Sequence, residues 1–292
     1  MQERLFMLAF DHRASFRKIF PQYAPREQRA KISEAKGMIL DAALLAIKRG
    51  KIKRNEAAIL CDEEYGALVL KRANLERVAA ALPLEKSGRE EFEFEYGNGF
   101  GRHVKKFAPT YAKVLVRYNP TNQQANLRQL KRLLRLQEWL GSKKIPLLFE
   151  LLVLPTKKQL DAPGGKDAFD KKIRPKLTIQ AITEIAKAGI RPAIWKLEGM
   201  DSLNDARTTY RTALRLAPQS KIIVLGRGES FARVQKWISI GKKAGAAGFA
   251  VGRTIFKEAL EAFASKKISR KAAVEKMSRN YASLAKEFTS TR

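Results

Sequence analysis

The sequence predicts an α/β protein, a (β/α)8 barrel, and three observations lead there. Short apolar runs of strand length recur along the chain, each ending in polar or glycine residues. Amphipathic segments with apolar residues at helical spacing lie between them, several stopped by a glycine such as Gly50, Gly141 or Gly189. The length of 292 residues is near that of a standard barrel, and no linker or composition break divides it. Residues 1–292 therefore read as one domain. A doubly wound open sheet is the runner-up. It lacks support because no Gly-x-Gly-x-x-Gly follows the first strand, and Gly97, Gly99 and Gly101 have the wrong spacing.

In chain order, Leu5 to Asp11 is a buried strand ending Asp-His-Arg, and Arg26 to Arg49 is a helix with Ile32, Ala35, Met38, Ile39 and Ala42 on one face. Ala57 to Cys61 is a second strand, Leu68 to Ala81 a helix and Leu82 to Lys86 a third strand. Arg89 to Thr110, with its glycines, reads as an irregular loop. Tyr111 to Tyr118 is the fourth strand, Gln123 to Leu140 a helix and Pro146 to Val153 the fifth strand, with Glu150 inside it. Thr156 to Lys172 is a polar loop, and Thr178 to Ala188 is helical. The sixth strand lies within Arg191 to Met200. Strand alternation there puts Ile194, Lys196 and Glu198 on one face and Ala193, Trp195 and Leu197 on the other. Asp205 to Ala217 is helical, Lys221 to Leu225 a strand, Phe231 to Lys243 a helix and Gly248 to Val251 the last strand. Helices then run to the C-terminus.

A hydrophobic content of 45% argues for a folded globule. Apolar runs such as Ile145 to Pro155 are interrupted by charge and too short to span a bilayer, and the start Met-Gln-Glu-Arg-Leu-Phe-Met-Leu-Ala-Phe-Asp has no small-residue cleavage site. A single cysteine, Cys61, rules out an internal disulfide and suits a reducing cytoplasm; in an apolar strand it reads as inert core. The net charge of +29 has three readings. Solvated Lys and Arg on outer helix faces come first, attraction of an anionic substrate second and nucleic acid last. The charge is scattered, dense at Arg128 to Arg135 and Lys266 to Lys276, with no tail, zinc-finger spacing or aromatic-basic motif. A homo-oligomer is left open.

In this fold a site forms at the C-terminal ends of the strands. Polar residues gather there: Asp11, Asp62, Lys86, Arg117, Glu150, Lys196, Arg227 and Arg253. Lys86, Glu150 and Lys196 lie within or flush with apolar runs, where an ammonium must find a carboxylate or serve as an amine nucleophile. Sharing a lumen, a second lysine and desolvation would favour a neutral amine at Lys196, with Glu150 beside it to shuttle protons. Glu198 is the structural ion-pair partner for Lys196 if that lysine has no chemistry, and otherwise a rim residue of open role. Gly226-Arg227-Gly228 and Gly252-Arg253 each open a helix, and glycine-permitted turns with helix N-termini and arginine suit a phosphate. With two histidines, His12 and His103, and no ligand pair at metal spacing, no metal or other cofactor is expected. Asp11, Asp62 and Glu63 are the one carboxylate set open to Mg²⁺, which the mechanism does not need.

The stretches Leu8-Ala9-Phe10-Asp11-His12-Arg13, Cys61-Asp62-Glu63-Glu64-Tyr65-Gly66, Leu84-Glu85-Lys86-Ser87-Gly88, Val116-Arg117-Tyr118-Asn119-Pro120, Phe149-Glu150-Leu151, Trp195-Lys196-Leu197-Glu198-Gly199 and Gly252-Arg253 occur in order and cover nearly the whole chain. In them the sequence resembles the class I (Schiff-base) barrel aldolases of the tagatose 1,6-bisphosphate aldolase type. It is more closely similar to the domain fused behind 5-dehydro-2-deoxygluconokinase in bacterial inositol catabolism. The resemblance implies a TIM barrel with Lys196 as Schiff-base lysine, Glu150 for proton transfer, and Lys86 and Asp11 in support. It implies phosphate held by Gly226 to Gly228 and Gly252-Arg253. The loop after the third strand is shorter than in tagatose-type enzymes and the charge more basic, so the resemblance bears more on reaction class than on substrate.

The expected function is retro-aldol cleavage of a phosphorylated keto sugar or keto sugar acid. The first substrate is 2-deoxy-5-keto-gluconate 6-phosphate, giving dihydroxyacetone phosphate and malonate semialdehyde. The alternatives are a tagatose 1,6-bisphosphate or sulfo-sugar phosphate aldolase, a sugar-phosphate isomerase on the same fold, and a non-catalytic basic barrel that binds nucleic acid or an acidic partner.

Overall fold

The apolar runs form eight strands in the computed structural model of the chain, which describes residues 4–290. They are β1 (Leu5–Ala9), β2 (Ala57–Leu60), β3 (Ala79–Pro83), β4 (Tyr111–Arg117), β5 (Leu147–Leu152), β6 (Ile194–Glu198), β7 (Lys221–Leu225) and β8 (Gly248–Val251). Each pairs in parallel with the next, and β8 pairs back onto β1, closing the barrel. The Met1 to Glu3 part of the apolar start lies outside the described residues.

Among the described residues, twelve α-helices connect and cover the strands. They are α1 (Arg13–Ile19), α2 (Pro25–Lys48), α3 (Glu63–Leu75), α4 (Phe100–Phe107), α5 (Gln123–Ser142), α6 (Lys157–Asp161), α7 (Gly165–Ala168), α8 (Arg174–Lys187), α9 (Leu203–Leu216), α10 (Phe231–Ala244), α11 (Arg253–Ala264) and α12 (Arg270–Thr289). A π-helical turn, Phe169–Ile173, joins α7 to α8. No helix among the described residues is long and apolar enough to cross a membrane.

The period of two divides the core into two layers. Leu5, Met7, Leu60, Leu148, Ile194 and Ile223 point inward and fill the lumen. Their neighbours, including Phe6, Phe149, Trp195 and Val224, pack outward against the helices. Each such side chain contributes about 1.5–3 kcal/mol when removed from water. At the seam, a Cβ on Gly248 would lie 1.9 Å from the Leu5 carbonyl oxygen, so β8 meets β1 this closely only because the residue is glycine.

Three local expectations change. Ala79 to Ala81 are the start of β3, three residues upstream of the expected strand, and α3 begins at Glu63 and ends at Leu75. Alanine is the best helix former, but at β3 the tertiary demand for small residues prevails over that propensity. The expected loops Arg89 to Thr110 and Thr156 to Lys172 contain α4 and α6–α7. Phe100, Val104 and Phe107 bury one face of α4, and Thr156 caps α6 with a capping box to Gln159.

Candidate active site

Above the apolar interior, Lys113 of β4, Glu150 of β5 and Lys196 of β6 point into the lumen. Lys113, Glu150 and Lys196 are buried, their side chains retaining 1%, 6% and 2% of their exposure. Charges this deep persist only when paired and hydrogen-bonded. Lys196 Nζ lies 2.9 Å from Glu150 Oε2, and Lys113 Nζ lies 3.0 Å from the same oxygen. The register of β5 on β6 pairs Glu150 directly with Lys196. Lys113 also donates to Asp11 Oδ2 at 2.8 Å and to Glu85 Oε1 at 2.5 Å.

The proton affinities follow from these contacts. Burial pushes the Asp11 carboxyl up, but Lys113, His12 and Lys196 outweigh it and hold Asp11 well below the ordinary carboxylate range. Glu150 is lowered in the same way, with Lys113 and Lys196 overcoming its burial. Burial works against charge on Lys113, and Asp11, Glu150 and Glu85 reverse it, so this ammonium holds its proton well above the usual lysine range. At Glu85 burial wins over Lys113, and the carboxyl is raised. His12 is pushed down to about 4 by burial, against the pull of Asp11 and with Arg253 and Lys196 adding to the lowering, and is neutral near pH 7.

Two cavities flank this network. One of 280 Å³ is lined by Lys196, Glu198, Arg227, Gly228, Gly252 and Arg253. The other, of 220 Å³, is lined by Asp11, Arg13, Glu85, Lys86, Ser87 and Lys113. His12, Leu115, Arg117 and Glu150 line both. Glu150 thus lies where the two cavities meet, with Lys196 on the side of the first.

The two Gly-Arg turns border the first cavity. A Cβ on Gly228, where φ is +76°, would lie 2.7 Å from the Arg253 guanidinium carbon, and a Cβ on Gly252 would lie 1.9 Å from the Ala9 carbonyl oxygen. No side chain caps the N-terminus of α11. Arg253 Nη2 donates to the Arg227 carbonyl at 2.8 Å, and its buried Nε has no hydrogen-bond partner among the described residues. Gly226 lines the same cavity, its position for a Cβ 3.2 Å from Val251. These groups present N–H donors and positive charge to one wall of the cavity, as an anion requires.

The structure thus brings Lys196, Glu150, Asp11, Arg117 and both Gly-Arg turns to one mouth. Two expected residues sit elsewhere. Lys86 is exposed, because β3 ends at Pro83 and the chain has left the barrel three residues before it. It reaches only the outer wall of the second cavity, and the lumen position expected for it is filled by Lys113. Asp62 is fully buried outside the lumen. It caps α3 by accepting from the Tyr65 N–H at 3.0 Å and pairs with the buried Lys36 of α2, which also donates to the Phe10 carbonyl. Asp62, expected to bind substrate, thus contacts α2 and α3 and lines neither cavity. Arg117 donates to the Arg89 carbonyl at 2.6 Å, which fixes it between the cavities. Glu198 faces the lumen but does not pair with Lys196. It contacts Arg227 at 3.2 Å and Arg174 at 3.8 Å and accepts from the Val153 N–H at 2.9 Å. Burial raises its carboxyl, partly offset by Arg174 and Arg227.

Lys113 and Glu85 are the site residues that sequence reasoning missed. A signal for Lys113 exists in Tyr-Ala-Lys-Val-Leu-Val-Arg, a lysine inside an apolar strand, the same signal that singles out Lys196. Glu85 had none. Cys61 is buried, and its thiol is raised well above the usual range by burial, consistent with an inert core residue.

A family described as "Uncharacterized protein conserved in bacteria (DUF2090)" matches residues 1–292. The chain belongs to the DUF2090 family. Among curated proteins, none matches the sequence. Among solved structures, the chain is similar to the fructose-bisphosphate aldolase of Plasmodium falciparum in complex with TRAP and an inhibitor. The TM-score is 0.69 at 14% identity, over 97% of this chain and 89% of that one. It is also similar to a Schiff-base-forming fructose-1,6-bisphosphate aldolase, with a TM-score of 0.59 at 14% identity over 97% and 94% of the two chains. An archaeal fructose 1,6-bisphosphate aldolase has a TM-score of 0.58 at 14% identity over 98% of this chain and 94% of its own. These likenesses establish that this DUF2090 member has the barrel fold of the class I aldolases, and its chemistry must be argued from its own site.

Proposed function

We propose that the protein is a class I aldolase that cleaves a phosphorylated keto sugar or keto sugar acid through a Schiff base on Lys196. The observation that carries this reading is the buried Lys196 ammonium 2.9 Å from Glu150, at the edge of a cavity walled by two Gly-Arg turns. A lysine nucleophile needs a place for its proton, a desolvated setting and a bound carbonyl within reach. Glu150 supplies the first, the lumen the second, and a phosphate held at Gly228, Gly252 and Arg253 the third.

The Lys196 amine adds to the substrate ketone, and the carbinolamine loses water to give an iminium. A base takes the proton of the hydroxyl beyond the scissile bond, the C–C electron pair flows to the iminium nitrogen and an aldehyde departs. The enamine left on Lys196 is protonated, and water then releases the phosphorylated ketone and the free amine. Glu150 is the proton carrier. In the resting site two cations hold its affinity down. At the neutral carbinolamine stage one of them is gone, so Glu150 keeps the proton taken from Lys196 and gives it to the departing hydroxyl; it is again a carboxylate when the iminium has formed and the substrate hydroxyl must lose its proton. Lys113 stays charged and anchors Glu150, Asp11 and Glu85 in place.

The second cavity takes the aldehyde half, and 2-deoxy-5-keto-gluconate 6-phosphate is the first substrate to test. Tagatose 1,6-bisphosphate and a sulfo-sugar phosphate are the alternatives. A panel of phosphorylated ketoses assayed for dihydroxyacetone phosphate decides the reaction class. Release of that triose from one member, lost in Lys196→Ala, supports the aldolase. Conversion of a ketose to its isomer with no triose would replace it with an isomerase.

A further inference from the structure

Arg227 stands at the first Gly-Arg turn, yet its guanidinium is already engaged. Its Nη1 lies 3.1 Å from Asp170 Oδ1 and its Nε 3.2 Å from Glu198 Oε1. Both acids are buried and also contact Arg174, whose Nε lies 3.1 Å from the same Asp170 oxygen. Two guanidiniums and two carboxylates form a balanced set joining the π-helical turn, α8, β6 and the turn after β7. A phosphate brought to Arg227 would also meet the two carboxylates, and their repulsion offsets the attraction. Arg253 differs, for it forms no ion pair among the described residues and its Nε is unpartnered.

The backbone links the two arginines. Arg227 has φ +56°, a left-handed conformation unfavourable for a residue with a Cβ, and Gly228 follows at +76°. This turn directs the Arg227 carbonyl to Arg253 Nη2 at 2.8 Å and lays Gly228 against the Arg253 guanidinium. A turn of this cost persists only where its surroundings hold it, and the ion pairs to Asp170 and Glu198 are that hold.

We propose that Arg227 is a positioning residue: clamped by Asp170 and Glu198, it shapes the turn whose carbonyl fixes Arg253 for an anionic ligand. This role rests on the phosphate site of the proposed function. It also makes Asp170, on the segment after β5, a determinant of anion affinity although it lies on neither Gly-Arg turn.

Calorimetric titration with inorganic phosphate tests it on the full chain, with thermal melts confirming that each variant folds. Asp170→Asn leaves both arginines in place but loosens the clamp, and phosphate should bind about tenfold more weakly, equivalent to ~1.4 kcal/mol. Were Arg227 itself the ligand, the same change would free it, and phosphate would bind more tightly; that result overturns the proposal. Arg227→Met, with Arg253→Met, gives a second reading even if Asp170→Asn fails to fold. The double variant should bind no more weakly than Arg253→Met alone, whereas losses that multiply would show two independent ligands and contradict the role. A lower melting temperature with unchanged phosphate affinity in Arg227→Met would make the clamp merely structural and also overturn it. Wild-type protein that binds no phosphate, or Arg253→Met that binds it as wild type does, removes the phosphate site itself and this role with it.

Discussion

Lys113 Nζ lies 3.0 Å from Glu150 Oε2, the oxygen that also faces Lys196. The carboxylate oxygen nearest the nucleophile is therefore held from a second side by a lysine on the neighbouring strand. Lys113 has no exposed surface to speak of and three acids around it. That is the geometry of a fixed charge that holds a carboxylate in position.

Lys113 on β4 and Lys86 beyond the end of β3 should therefore separate in kinetics. Lys113→Met removes the anchor of three buried acids, and kcat should fall on the order of 10²-fold or more. Lys86→Met, at the exposed wall of the second cavity, should act on KM and leave kcat within about threefold, as loss of uniform binding does. Steady-state assays of triose release check both, and a larger kcat loss in Lys86→Met would restore the role first expected for it.

Folding stability should depend on His12 between pH 6.5 and 4. The unfolded imidazole has its ordinary value of 6.5, and the folded one is pushed down to about 4 by burial. In that window the unfolded chain binds more protons, so stability is fully present above about 6.5 and is lost as pH falls toward 4. A third of the side chain still reaches water, which makes the loss smaller than the shift alone implies. Urea unfolding from pH 7 to 5 should show this slope in the wild type and a flatter one in His12→Asn.

Asp62 should matter for stability and little for binding. Asp62→Ala leaves the Lys36 ammonium buried without its carboxylate and should cost ~3–5 kcal/mol in urea unfolding. Replacing both members, as Lys36→Met with Asp62→Leu, should recover most of that loss. Phosphate affinity should stay near wild type in the double variant, because this pair lies outside the lumen.

Most of the barrel was legible because its strands are apolar runs with glycine or polar ends, and β7 and β8 have the bounds expected from them. What failed was β3. Its Ala-Ala-Ala start carries no strand signal, and a shift of three residues put Lys86 at the end of the expected strand although β3 stops at Pro83. Asp62 misled for a related reason. It follows β2 with lumen parity, but as the cap of α3 it turns outward, and only the packing of Lys36 reveals this. The clamp on Arg227 was not legible at all, since Asp170 lies 57 positions away in a segment read as loop. Lys196 and Glu150 were legible because a charge inside an apolar run is costly enough to demand a partner on the adjacent strand.

Borohydride reduction in the presence of dihydroxyacetone phosphate, followed by peptide mass spectrometry, tests the Schiff base on Lys196 most directly. The account predicts a reduced adduct on the peptide carrying Lys196, absent without borohydride and absent in Lys196→Ala. An adduct confined to another lysine, or none at saturating ketone with a folded protein, would contradict it.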